Sequence, residues 1–181
     1  MTTPDRSTDV PVAPRAAAAL DGQLRAALDH ALQVRAMSTP VPGRLWGHRP
    51  EIARRQVELL TSFYEHSCLD ERLRELVRLR VAAFNDCAVC QLARKSDEVT
   101  DDDVACLAPD HERFTPRERA ALRFADLLVV DHLADTTEVF EQLHACFDEA
   151  EIVELGMFTV TMLGSGRLAH VLQVARIPDE E

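Results

Sequence analysis

The stretch "LDERLRELVRLRVAAFNDCAVCQLAR", Leu69 to Arg94, decides how the rest of the chain is read. Asp70 is a natural helix N-cap, and the residues after it, "ERLRELVRLRVAAF", read as a helix to Phe84. Asn85-Asp86 interrupts it, and Asp86 is placed to cap a short second helix that begins at Cys87. If the chain reverses at this break, the two helices run antiparallel. Glu75 lies ten residues before Asn85 and Arg94 eight after Asp86, so the two fall at nearly one level at a rise of ~1.5 Å per residue. Glu75 shares its helical face with the apolar Leu79 and Ala82, and a buried carboxylate needs a partner. By level, the expected partner is Arg94, which also stands four residues, one helical turn, beyond Cys90.

Three readings of Cys87 and Cys90 stay open on these grounds: a redox dithiol, half of a zinc site, or two unrelated buried thiols. A thiol attacks only as thiolate, and its reference pKa is roughly 8.5. The amides at a helix start and the fixed charge of Arg94 would both favour a thiolate at Cys90, whereas Asp86 adjoins Cys87 and opposes one there. Cys90 is therefore expected to attack and Cys87 to resolve, and the three-residue spacing lets the sulfurs close a disulfide within one turn. The zinc reading draws on Cys87, Cys90, Cys106 and His111, a C-x2-C-x15-C-x4-H series. Its second half lacks the Gly-bearing turn of a zinc knuckle, so neither a metal nor any other cofactor is expected. Cys68 and Cys146 are read as structural, and His170 as a core-packing residue of the terminal helix.

Composition narrows the function classes. A net charge of −11 with no separate basic cluster sets long-range repulsion against binding to nucleic acid or an anionic membrane. No apolar run approaches the roughly 20 residues of a membrane helix. The opening "MTTPDRSTDVPVAP" has no apolar core of a signal peptide, and five cysteines, an odd number, argue against a structural disulfide framework. These features predict a cytoplasmic protein in which a close cysteine pair is catalytic or metal-binding.

Helix signals dominate elsewhere, and the fold class expected is all-α. Residues 1–13 read as a disordered tail ahead of one domain over 14–181. Helices are expected from about Arg15 to Met37, from Pro50, from Thr100 to Leu107, from Thr137 to Phe147, and from Glu149 to Val174. "STPVPG" reads as a break after the first of them. Thr115-Pro116-Arg117-Glu118 is the clearest start, a capping box with Pro at N1, of a helix that runs to about Asp131. Gly164-Ser165-Gly166 would split the last helix in two. That would make "ELGMFTVTMLGSGRLAHVL" a second helical hairpin, a weak repeat of "ELVRLRVAAFNDCAVCQLA".

The quoted stretch resembles the core of the carboxymuconolactone decarboxylase and AhpD-like alkylhydroperoxidase superfamily. That pattern has a Glu, twelve residues to a first Cys, Cys-x-x-Cys, and a His four residues on. Glu75, Cys87 and Cys90 occupy the first three positions, and Arg94 stands where the His would be. Val89 replaces the His found between the cysteines of the best-known alkylhydroperoxidases. The flanks "HRPEIARRQVELL", "FTPRERAALRFADLL" and "ELGMFTVTMLGSGRLAHVL" agree as well, so the resemblance covers roughly residues 44 to 175. It implies an AhpD-like helical bundle, a homo-oligomer (dimer, trimer or hexamer), a hydroperoxide substrate and a dithiol electron donor. The implied site is Glu75, Cys87, Cys90 and Arg94. Arg, with a pKa above roughly 12, steadies charge but does not shuttle protons near neutral pH. Decarboxylation, or a catalytically inactive oligomer on the same fold, is the competing expectation.

Overall fold

The computed structural model describes residues 10–179, with the side chains at positions 88 and 89 left aside. Among these residues it is all-α, with no strand. Most of the tail expected over residues 1–13 lies outside the described residues. The chain divides into two compact units, His66–Arg167 and the segments that flank it on either side.

In the flanking unit, α1 (Gly22–Gln33) packs on α3 (Pro50–Glu65) through Leu24, Leu28, Ala31, Ala53 and Val57. The helix expected from Arg15 starts later, because Asp21 accepts from the amides of Gln23 and Leu24 at 2.9 and 3.2 Å and fixes the N-terminus there. The expected break at "STPVPG" is present, since α1 ends at Gln33, but the stretch also opens a short helix: Val41–Trp46 forms α2, because a proline in the first turn removes only an amide that has no helical partner.

The other unit holds α4 (Glu71–Phe84), α5 (Ala88–Leu92), α6 (Asp101–Ala105), α7 (Pro116–Val130), α8 (Thr137–His144) and α9 (Glu149–Val171) up to Arg167. Asp70 caps α4 by accepting from the Leu73 amide at 2.8 Å. Thr100 and Thr115 each close a capping box, with Asp103 and Glu118. The core gathers Leu76 and Leu79 of α4 with Val99, Leu107, Phe114 and Leu122.

Two ion pairs set the register of α4 against α7. Arg72 meets Glu118 at 2.7 Å, and Arg80 meets Asp126 through bonds of 2.7 and 2.8 Å. Both pairs join positions 46 residues apart, so the two helices run in the same direction with no slip across two turns. Asp103 lies 3.0 Å from Arg72 and 2.5 Å from Arg113.

The Gly164-Ser165-Gly166 break does not occur: α9 is one helix through these residues. Gly166 is required for close approach instead. A Cβ there would lie 2.3 Å from Asn85 Nδ2, whereas one at Gly164 would meet nothing within 4 Å. The second hairpin of the expected repeat is therefore absent.

Candidate redox site

The site is built on the α4–α5 hairpin. Asn85 is the C-cap of α4, and its Nδ2 donates to the main-chain oxygens of Met162 and Leu163 on α9, at 3.4 and 3.3 Å. Asp86 follows with φ of 48°, a left-handed conformation that Asp tolerates better than most residues. The Cys87 amide donates to Ala82 O at 3.1 Å, which closes the reversal. The expected cap by Asp86 is replaced by Cys87 itself, whose Sγ accepts from the Cys90 amide at 3.3 Å. Cys87 and Cys90 are joined in a disulfide with Cα atoms 5.2 Å apart, and both residues are half-buried.

Glu75 is buried, as its apolar face implied, but its partner differs from the one expected. The sequence points to Arg94, and the structure supplies Arg78, also buried, one turn along the same helix. Arg78 Nε donates to Glu75 Oε2 and Nη2 to Oε1, each at 2.7 Å. Arg94 donates instead to Gln91 O, and to Asp101 at 3.1 Å. The reason is local. α5 ends at Leu92, so Arg94 is no longer on the helical face of Cys90, and the i,i+4 spacing that linked them does not apply. The level was off by one residue: Glu75 Oε1 accepts from the Lys95 amide at 3.0 Å.

Arg78 is the residue that sequence reasoning missed. Its guanidinium also donates to Cys90 O at 2.6 Å and to Ala93 O at 2.7 Å. Those carbonyls belong to the last turn and exit of α5, where helix oxygens have no internal partner. One side chain thus binds the buried carboxylate and caps the helix that carries Cys90. The i,i+3 spacing of Glu75 and Arg78 was the available signal.

The remaining candidates are not drawn into this arrangement. Cys106 is the C-cap of α6, and His111 Nδ1 accepts from the Arg113 amide at 3.2 Å. No group of three or more His, Cys, Asp or Glu side chains is placed to hold a metal among the described residues. His170 is exposed in the last turn of α9, and so is not a core residue. Cys68 is exposed, yet both its amide and its thiol donate to Glu154 Oε2, at 3.0 and 2.9 Å. The hydrogen bond to that carboxylate, with burial second, pushes the Cys68 thiol up to about 11. Among the described residues no helix is long and apolar enough to cross a membrane.

Residues 50–127 match the model of the carboxymuconolactone decarboxylase family. Two uncharacterized proteins of Mycobacterium tuberculosis, from strains CDC 1551 and H37Rv, are each 29% identical over 131 residues. The match takes in 68% of this chain and 46% of theirs, so the chain spans about half the length of the curated relatives it matches. Among solved structures, the fold is similar to that of the debrominase Bmp8, a cysteine-to-alanine variant in complex with 2,3,4-tribromopyrrole. The TM-score is 0.77 at 16% identity, over 92% of this chain and 91% of that one. It is also similar to the AhpD core of an uncharacterized peroxidase-related protein from Ralstonia eutropha JMP134. There the TM-score is 0.69 at 20% identity, over 96% and 97% of the two chains. A protein of unknown function from Agrobacterium tumefaciens, whose name links it to the antioxidant defence protein AhpD, gives a TM-score of 0.64 at 23% identity. That match covers 75% of this chain and 96% of that one.

Proposed function

We propose that this chain, whose residues 50–127 match the carboxymuconolactone decarboxylase family model and whose fold is AhpD-like, is a thiol–disulfide oxidoreductase that reduces organic hydroperoxides. The observation that carries this reading is the Cys87–Cys90 disulfide, closed at the start of a short helix. In the forward reaction the Cys90 thiolate attacks the terminal peroxide oxygen. An S–O bond forms, the O–O bond breaks, and the alcohol leaves with a proton from solvent. The Cys87 sulfur then displaces water from the resulting sulfenic acid, which closes the disulfide. An external dithiol returns both cysteines to thiols and leaves as its own disulfide.

Glu75 is not assigned the part of a base. Both of its oxygens are already engaged, by two guanidinium bonds and a main-chain amide. Glu75 therefore acts as a positioning residue, through Arg78. Arg94, bonded to Asp101 and to Gln91 O, orders the exit of α5. Protons in this reading come from water, which makes turnover slower than in relatives that keep a histidine relay.

The protein works as a homo-oligomer. Val153, Met157 and Val160 lie at i, i+4 and i+7 on α9 and are all exposed, which leaves an apolar stripe suited to a second copy. The test of function is hydroperoxide consumption with a panel of dithiol donors, for the wild type and for Cys90→Ser. Donor-dependent turnover abolished in Cys90→Ser is the expected result; equal slow rates in both would remove the redox reading. Tribromopyrrole and a lactone acid serve as comparison substrates.

A further inference from the structure

Arg78 donates four hydrogen bonds, two to Glu75, one to Cys90 O and one to Ala93 O. The pair it forms with Glu75 is buried on both sides. No redox step needs this arrangement as an acid, a base or a ligand. Its consequence is geometric: the main chain of Cys90 is tied to α4 at one of its own atoms, and the next turn is tied at Ala93 and Lys95. Cys87, the other half of the disulfide, is anchored to the same helix by its amide at Ala82 O. Both sulfurs are thus carried on backbone fixed to α4.

We infer that Arg78 sets the reduction potential of the Cys87–Cys90 couple, by holding the Cys90 backbone where the disulfide closes. The inference rests on the redox reading of the pair. Closing a disulfide orders the segment between its sulfurs, and a backbone that is already fixed loses less freedom on closure. The clamp therefore favours the disulfide over the dithiol and makes the couple harder to reduce. Reduction takes two electrons and two protons from a dithiol or from two glutathione molecules, which leave as a disulfide; it breaks the Cys87–Cys90 S–S bond and leaves both cysteines as thiols.

Linkage separates this role from a merely structural one. The effect of Arg78 on the reduction equilibrium equals the difference between its effects on the stability of the disulfide and dithiol forms. A residue that only braces the fold stabilises both forms alike and leaves the potential unchanged.

The experiment equilibrates the full chain with glutathione buffers of graded ratio and reads the oxidised fraction by thiol trapping. It compares the wild type, Arg78→Lys, and the double variant Arg78→Met/Glu75→Gln, which leaves no buried charge uncompensated. Urea unfolding of each protein in both redox forms accompanies it. The double variant is expected to shift the equilibrium about tenfold toward the dithiol, about 30 mV for a two-electron couple, with the disulfide form losing more stability than the dithiol form. Arg78→Lys, which keeps the cation but cannot reach both carbonyls at once, should shift it less in the same direction. Unchanged equilibrium constants in folded variants overturn the inference. So does an equal loss of stability, or of folding, in both redox forms. A wild-type pair that excess dithiothreitol does not open, or that glutathione disulfide does not close, would instead overturn the redox reading beneath it.

Discussion

Arg78 lies three residues after Glu75 on one helix, and the two buried side chains form a two-pronged ion pair with both bonds at 2.7 Å. The desolvation of such a pair offsets most of its attraction, but removing one partner strands a buried charge. Glu75→Ala is therefore expected to cost about 3–5 kcal/mol of stability. Glu75→Gln, still able to accept from the Lys95 amide, should cost less. Urea unfolding monitored by circular dichroism measures both; equal stability of Glu75→Ala and wild type would contradict the pairing.

The two glycines of α9 give a paired prediction. Gly166→Ala would place a Cβ 2.3 Å from Asn85 Nδ2 and force that side chain off the main-chain oxygens of Met162 and Leu163. A loss of about 1–3 kcal/mol is expected, the usual cost of overpacking. Gly164→Ala meets open space. It should stabilise the helix by up to about 1 kcal/mol, the propensity difference between Gly and Ala. Thermal unfolding of the two variants should give shifts of opposite sign.

Asp103 gives a pH dependence. The Arg72 guanidinium, followed by that of Arg113, holds its carboxyl well below the usual carboxylate range against the opposing effect of burial. The folded value lies below the unfolded one, so the stabilisation is complete above the unfolded value of roughly 3.9 and drains away as pH falls toward the folded value. Stability should fall with acidification below about pH 4, and Asp103→Asn should flatten that slope while lowering stability at pH 7 by about 1–3 kcal/mol. Denaturation midpoints between pH 2 and 7 decide it, and an unaltered slope in the variant would assign the acid sensitivity elsewhere.

Cys68 is exposed but should be slow to react. With its thiol near 11, the thiolate fraction at pH 8 is about a hundredth of that of an ordinary cysteine. Alkylation at Cys68 should be correspondingly slow and should accelerate at least tenfold in Glu154→Gln, which removes the negative charge facing the sulfur. Mass-spectrometric labelling at pH 8 reads this directly, and fast labelling in the wild type would show that the thiol does not face Glu154.

The all-α class and the helix starts at Asp70, Thr100 and Thr115 were legible because each rests on a local signal, a capping side chain ahead of an apolar run. The AhpD-like core was legible from the spacing of Glu75, Cys87 and Cys90. The partner of Glu75 was not. Matching levels across a hairpin assumes that both arms stay helical, and α5 stops two residues before Arg94. Gly166 was misread for a related reason. Two nearby glycines look like a break in one dimension, whereas in three dimensions one of them makes room for Asn85. Arg78 was hidden because a charged residue on an amphipathic helix is ordinarily solvated. Only the fold reveals that it faces the carbonyls of Cys90 and Ala93.

The central claim is that Cys90 attacks a hydroperoxide and Cys87 resolves the product, and the most direct measurement traps the intermediate between those steps. Cys87→Ser and Cys90→Ser are each reduced, treated with one equivalent of cumene hydroperoxide in the presence of dimedone, and mapped by mass spectrometry. In Cys87→Ser, where no resolving thiol is left, the account predicts a sulfenic acid adduct on Cys90. In Cys90→Ser it predicts no comparable adduct on Cys87. Adducts on Cys87 alone would reverse the assigned roles, and no adduct at either position, with Cys68 or Cys146 modified instead, would contradict the claim.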